Sequence, residues 1–145
     1  MWPTIVGVGY PGAIKKGAQK FETLGQRDNS RIAAMSKTVE FHNTIGKARI
    51  EARIRTLSSA FKRELKKRIP RVKFYTPLDP ELSLGVAVFT PPGIDLSKAL
   101  DTLYHDHNIG CAVFGGDLAG IRMCPHIYNT REEMDKAVYA LMKLD

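Results

Sequence analysis

The apolar positions change their spacing near residue 70. Before it, Ile50, Ile54, Leu57, Phe61, Leu65 and Ile69 step by three or four, one face of a helix that Pro70 must end. An earlier helix carries Ile32, Met35, Val39 and Ile45, with Asp28, Asn29 or Ser30 as its cap and Gly46 as its stop. Beyond Pro70 the apolar runs become short. Residues 72–76, 84–89, 111–114 and 121–124 read as strands, and the last two pair antiparallel across 115–120. Between the second and third strands, Asp95 caps a helix bearing Leu96, Ala99, Leu100 and Leu103, which Asn108 and Gly110 close. Thr130-x-x-Glu133 is a capping box, and Met134, Ala137, Val138, Leu141 and Leu144 follow at helical spacing. The order strand, strand, helix, strand, strand, helix predicts an α+β domain: an antiparallel or mixed sheet with helices on one face, preceded by two long helices.

Residues 1–28 follow neither pattern. Gly7, Gly9 and Gly12 spell G-x-G-x-x-G, but only Thr4-Ile5-Val6 precedes them and no second strand follows. A dinucleotide site needs a βαβ unit around that motif, so a glycine-rich connector is the better reading. The segment is poor in core residues and suited to lying on something else.

At 145 residues and 43% hydrophobic content, one core is affordable. No apolar run approaches a membrane span and no signal peptide is evident, so a soluble, cytoplasmic chain is expected. Cys111 and Cys124 form no disulfide framework and read as small buried hydrophobes. His105-Asp106-His107 cannot share one metal ion from a helix, where i and i+2 diverge. His42 and His126 are lone histidines, and no nucleophile–base pair stands out. The net charge of +7 is concentrated between Lys47 and Lys73, where eleven Lys or Arg face two glutamates. A nucleic-acid surface is one reading. A solvated outer face is the better one, since no aromatics are interleaved with the charges.

Arg122 stands out because it lies inside a strand pattern, between Ile121 and Met123. Alternation puts Arg122 and Cys124 on the face opposite those two, and Pro125 should end the pairing. Residue type alone favours an arginine on the wet face of an edge strand. The other reading is a fixed cation that grips a carboxylate in bidentate fashion.

The stretch GIRMCPHIYNTREEMDKAV, residues 120–138, resembles the C-terminal strand–turn–helix of class V aminotransferases, fold-type I pyridoxal-phosphate (PLP) enzymes. That family's pattern is G-[IV]-R-x-S-x-x-x-Y-N-T-x-E-E-[IV]-D. The resemblance implies that Arg122 holds the substrate carboxylate, with Cys124 where serine is common. KFETLGQRDNSRIAAM, residues 20–35, resembles the family's F-E-x-x-G-T segment, whose residue after glycine reaches the cofactor phosphate, commonly from the neighbouring subunit of a homodimer. Here those positions are Gly25 and Gln26. With FHNTIG further on, the likeness is strongest to isopenicillin N epimerase-like members.

The family's Schiff-base lysine follows a Ser-x-His-type stretch upstream, and this chain has no His-Lys pair. The resemblance therefore implies the C-terminal portion of a larger enzyme, with residues 1–28 lying on its large domain or dimer interface and 29–145 as the C-terminal domain. The expected function is a PLP-dependent reaction on an amino-acid substrate, transamination or epimerisation, with no catalytic residue in this chain and no activity alone. The loop 115–120 lacks the cysteine that a desulfurase would carry before the arginine strand. The alternatives are a small basic nucleic-acid-binding module and a non-catalytic partner subunit of a complete aminotransferase.

Overall fold

The computed structural model describes residues 10–22 and 28–144. They fall into two compact units, residues 1–44 and 45–145.

In the first unit a single helical turn, α1 (Tyr10–Ala13), leads into 3-10 turns over Ile14–Phe21, interrupted at Lys16 and at Gly17, whose φ is 56°. Gly7 and Gly9 of the glycine motif lie outside the described residues. Helix α2 (Asn29–Ile45) starts where the Asp28 carboxylate accepts the Ser30 amide at 3.0 Å. Its predicted stripe is not a buried one. Ile32, Met35 and Val39 are all exposed, Met35 by 66%, and Phe41 is exposed beside them. The apolar side chains of α2 are spread around the helix rather than gathered on one face, so the spacing of three and four overstated its amphipathicity.

Gly46, at φ 92°, separates α2 from α3 (Lys47–Arg68). The second unit is built on α3. Leu57, Phe61 and Leu65 are buried in the core and Ile54 beside it, while Ile69 packs at its rim. Strands β1 (Lys73–Phe74), β2 (Ala87–Thr90), β3 (Ala112–Phe114) and β4 (Gly120–Met123) form one antiparallel sheet in the order β1-β2-β4-β3. Helices α4 (Leu96–His105) and α5 (Arg131–Leu141) complete the α+β domain, and α3 packs against α5. Ala87, Phe89, Ile121 and Met123 turn one sheet face into the core against Leu103, Met134, Val138 and Leu141. The Phe89 ring sits between those of Phe61 and Phe74, with centroids 5.8 and 5.9 Å away.

Two boundaries differ from the hydrophobic pattern. β1 is two residues long because Thr76 takes the next backbone donor with its side chain: Val88 N–H donates to Thr76 Oγ1 at 2.8 Å. β2 begins only at Ala87; before it, Gly85 passes so close to α3 that a Cβ there would lie 2.8 Å from Ile54 Cγ2. Helix α4 is capped as predicted: the Asp95 carboxylate accepts from Ser97 N–H and Oγ–H, which hold its pKa below the usual carboxylate value. Asn108 takes the left-handed φ of 54° that closes it.

Candidate functional site

The strand that carries Arg122 is fastened at its start by one carbonyl. Ala119 C=O accepts Thr90 Oγ–H at 2.5 Å and the Tyr75 hydroxyl at 3.3 Å, so side chains from β2 and the end of β1 pin the turn that feeds β4. Gly120 then passes so close to β2 that a Cβ would meet Phe89 O and Thr90 Oγ1, each at 2.7 Å. Only glycine fits there, because a van der Waals contact needs nearly an ångström more.

β4 lies between β2 and β3 and is not an edge strand. Arg122 pairs with Val88 on one side and Ala112 on the other. Ile121 and Met123 face the core, while Arg122 and Cys124 are exposed on the opposite face. Paired on both sides, the backbone under Arg122 is held more firmly than an edge would hold it.

The guanidinium has no acidic or carbonyl partner among the described residues. Its contact is with an aromatic ring: Arg122 Cζ lies 5.0 Å from the centroid of Phe114. Val88 and Ala112, half-buried, are its neighbours across the strands, and Phe114 and Val86 are exposed apolar residues of the outer face and its approach. Lys73, near the far side of the sheet, places its ammonium 4.5 Å from the Tyr75 ring. Among the described residues, the site is therefore a planar cation with no anionic partner, exposed on a mostly apolar sheet face. Such a group matches a carboxylate in two parallel N–H···O bonds.

Beyond Met123 the chain turns under a network of its own. His126 N–H donates to Asn129 Oδ1 at 2.8 Å, Asn129 Nδ2 donates to Glu133 Oε2 at 3.1 Å, and Thr130 N–H donates to the same oxygen at 2.9 Å. Thr130 Oγ1 accepts Glu133 N–H in return, completing the predicted capping box. Those donors hold the Glu133 carboxyl below its usual pKa, the Thr130 amide foremost. The His126 ring packs 5.0 Å from that of Tyr128, and its Nδ1 is shielded without a hydrogen-bond partner. A cleft of about 230 Å³ opens beside this turn, with Cys124, Asn129 and Glu133 in its lining.

The cysteines are not the buried pair that their apolar neighbours suggested. Cys124 is exposed beside Arg122, and Cys111 is half-buried, with burial raising its thiol pKa. His105 is a surface residue, its ring edge-on to Tyr104 at 5.1 Å. Gly25 and Gln26, the expected phosphate-binding residues, lie outside the described residues.

Much of the basic run on α3 is engaged within the domain. Arg55 pairs with Glu51 at 2.7 Å, Arg68 with Glu64 at 2.8 Å, and Lys66 donates to Pro70 O at 2.9 Å. Arg53 donates to Asn129 O at 2.7 Å. Lys62 is buried, 4% exposed, and donates to Ser83 Oγ at 2.6 Å and Pro77 O at 3.3 Å. Sequence reasoning missed Phe114, Thr90 and Tyr75. Drawing the β3–β4 register would have found Phe114, because pairing across 115–120 sets it opposite Gly120, one diagonal step from Arg122.

No family model matches the chain. It is 32% identical to isopenicillin N epimerase of Streptomyces clavuligerus, over 93% of this chain and 35% of that protein. It is 30% identical to isopenicillin N epimerase of Amycolatopsis lactamdurans, over 87% of this chain and 32% of that one. The chain thus spans about a third of the length of these relatives. Among solved structures, a NifS-like protein from Rickettsia africae superposes with a TM-score of 0.72 at 18% identity, covering 98% of this chain and 39% of that one. A second NifS-like protein gives 0.65 at 18% identity, covering 99% and 38%.

Proposed function

We propose that the chain is class V aminotransferase-like and forms the substrate-carboxylate-binding part of a PLP-dependent enzyme acting on an amino acid. The observation that carries this reading is the Arg122 guanidinium, exposed on the outer sheet face and without an acidic partner among the described residues. The surrounding residues fit the carboxylate end of such a site: a planar cation beside the apolar Val88, Ala112 and Phe114.

In this reading Arg122 takes the α-carboxylate by two parallel bonds. That contact, made from a strand paired on both sides, fixes where the Cα–H bond points. Gln26, following Gly25, would donate to the cofactor phosphate in a homodimer. PLP, when bound, supplies the electron sink that makes the Cα proton acidic. In this reading the catalytic lysine would be supplied by a large domain. Transamination or epimerisation fits better than sulfur removal from cysteine, because residues 115–120, just before the arginine strand, contain no cysteine.

The test is turnover. The chain supplied with PLP and a panel of L-amino acids should neither transaminate nor epimerise them. Joined to a class V large domain that carries the lysine, it should do one or the other. Turnover by the chain alone would overturn the assignment, as would an inactive joined enzyme that is folded and PLP-loaded.

A further inference from the structure

We propose that Phe114 is a positioning residue for Arg122, its ring holding the guanidinium in the orientation that receives a carboxylate. The inference rests on the carboxylate reading of Arg122 and adds to it a residue that the motif does not contain. A long arginine on an open sheet face normally samples many rotamers, and fixing it needs a partner. Here that partner is not an acid. Arg122 Cζ sits 5.0 Å from the Phe114 centroid, within the range of a cation–π contact.

The register explains how the two meet. Ala112 is directly opposite Arg122, and Phe114 is directly opposite Gly120. Phe114 and Arg122 are thus diagonal neighbours on one face, a spacing that aromatic and long side chains bridge. Gly120 contributes no side chain between them, and the space a Cβ would need is taken by Thr90 Oγ1. The alanine opposite Arg122 is too short to compete for the guanidinium.

The chemistry favours a ring over an acid at this place. A carboxylate partner would neutralise Arg122 and compete with the substrate's own carboxylate. A ring face attracts the cation but forms no N–H···O bonds, so the donors of the guanidinium remain available. Phe114 is 39% exposed on the edge strand β3, so replacing it removes little core.

The test uses the 145-residue chain, with L-alanine as the carboxylate probe in a calorimetric titration and ¹⁵N NMR of the Arg122 Nε–H. The wild type should bind saturably, with the Arg122 Nε–H shifted by the ring current. Phe114→Leu should weaken binding by about two- to fivefold and abolish that shift, while Phe114→Tyr should restore both. An unchanged affinity and an unmoved Nε–H in Phe114→Leu, with binding lost in Arg122→Ala, would overturn the positioning role and leave the carboxylate reading standing. Absence of binding to wild type, or equal binding to Arg122→Ala, would overturn the carboxylate reading and this inference with it.

Discussion

The Arg53 guanidinium reaches across the domain to the carbonyl of Asn129, 76 residues later, and donates to it at 2.7 Å. That bond ties the principal helix to the turn between the arginine strand and α5. Asn129 in turn binds His126 N–H and Glu133, so one contact supports the whole turn. Replacing Arg53 with alanine should lower stability by about 1 kcal/mol, the size of a net hydrogen bond at an exposed site. Amide exchange at 126–130 should accelerate more than exchange in the core strands. Uniform acceleration across the domain would show that the bond does not act locally.

Thr130 and Glu133 close the N-terminus of α5 reciprocally. Thr130→Ala should cost about 1 kcal/mol in a urea titration. The same box makes a pH prediction. Glu133 is held below its ordinary pKa by the Thr130 amide first and the Asn129 side chain second. Its contribution is therefore complete above the ordinary glutamate value and is lost as pH falls through the lowered one. Glu133→Gln should flatten that acid limb. A mutant whose acid limb matches wild type would rule out this source.

Gly120 and Gly115 lie five residues apart in one turn region and should respond differently to alanine. At Gly120 the new methyl would lie 2.7 Å from Phe89 O, a backbone atom that cannot swing away, whereas nothing lies within 4 Å of a Cβ at Gly115. Gly120→Ala should destabilise by roughly 1–3 kcal/mol and displace β4, as overpacking does. Gly115→Ala should stay close to wild type. Thermal melts of the two variants, side by side, decide this.

Lys62 is a buried cation whose partners are a hydroxyl and a carbonyl, and burial lowers its pKa. The unfolded chain therefore binds this proton more tightly than the folded one. Stability should rise with pH from the lowered value up to the ordinary lysine value, where the gain is complete. Lys62→Met should remove that alkaline rise. A rise that persists in the mutant would place its origin elsewhere.

The α3 stripe, both caps of the second unit and the strand–strand–helix order were legible because each is written locally, in spacing of three or four or in a Thr-x-x-Glu. Sheet order is not local. Nothing in residues 120–124 says that β4 lies inside the sheet, which turns Arg122 from an edge cation into one on a paired strand. Alternation correctly put Arg122 and Cys124 on one face. The same alternation should have marked Cys124 as exposed, since it shares the face of Arg122, which is itself exposed. Lys62 was hidden for a similar reason: a lysine beside Phe61 on a basic helix reads as solvated, and only the 77–83 loop folded over it makes it buried.

Arg122 as a carboxylate clamp is the central element of the proposed function. The most direct measurement is the affinity of the chain for L-alanine before and after Arg122→Ala, with folding checked by far-UV circular dichroism. Wild type should bind saturably, and the mutant should lose about 1.5–3 kcal/mol, at least about tenfold in Kd. Equal affinity in two folded proteins would contradict that role.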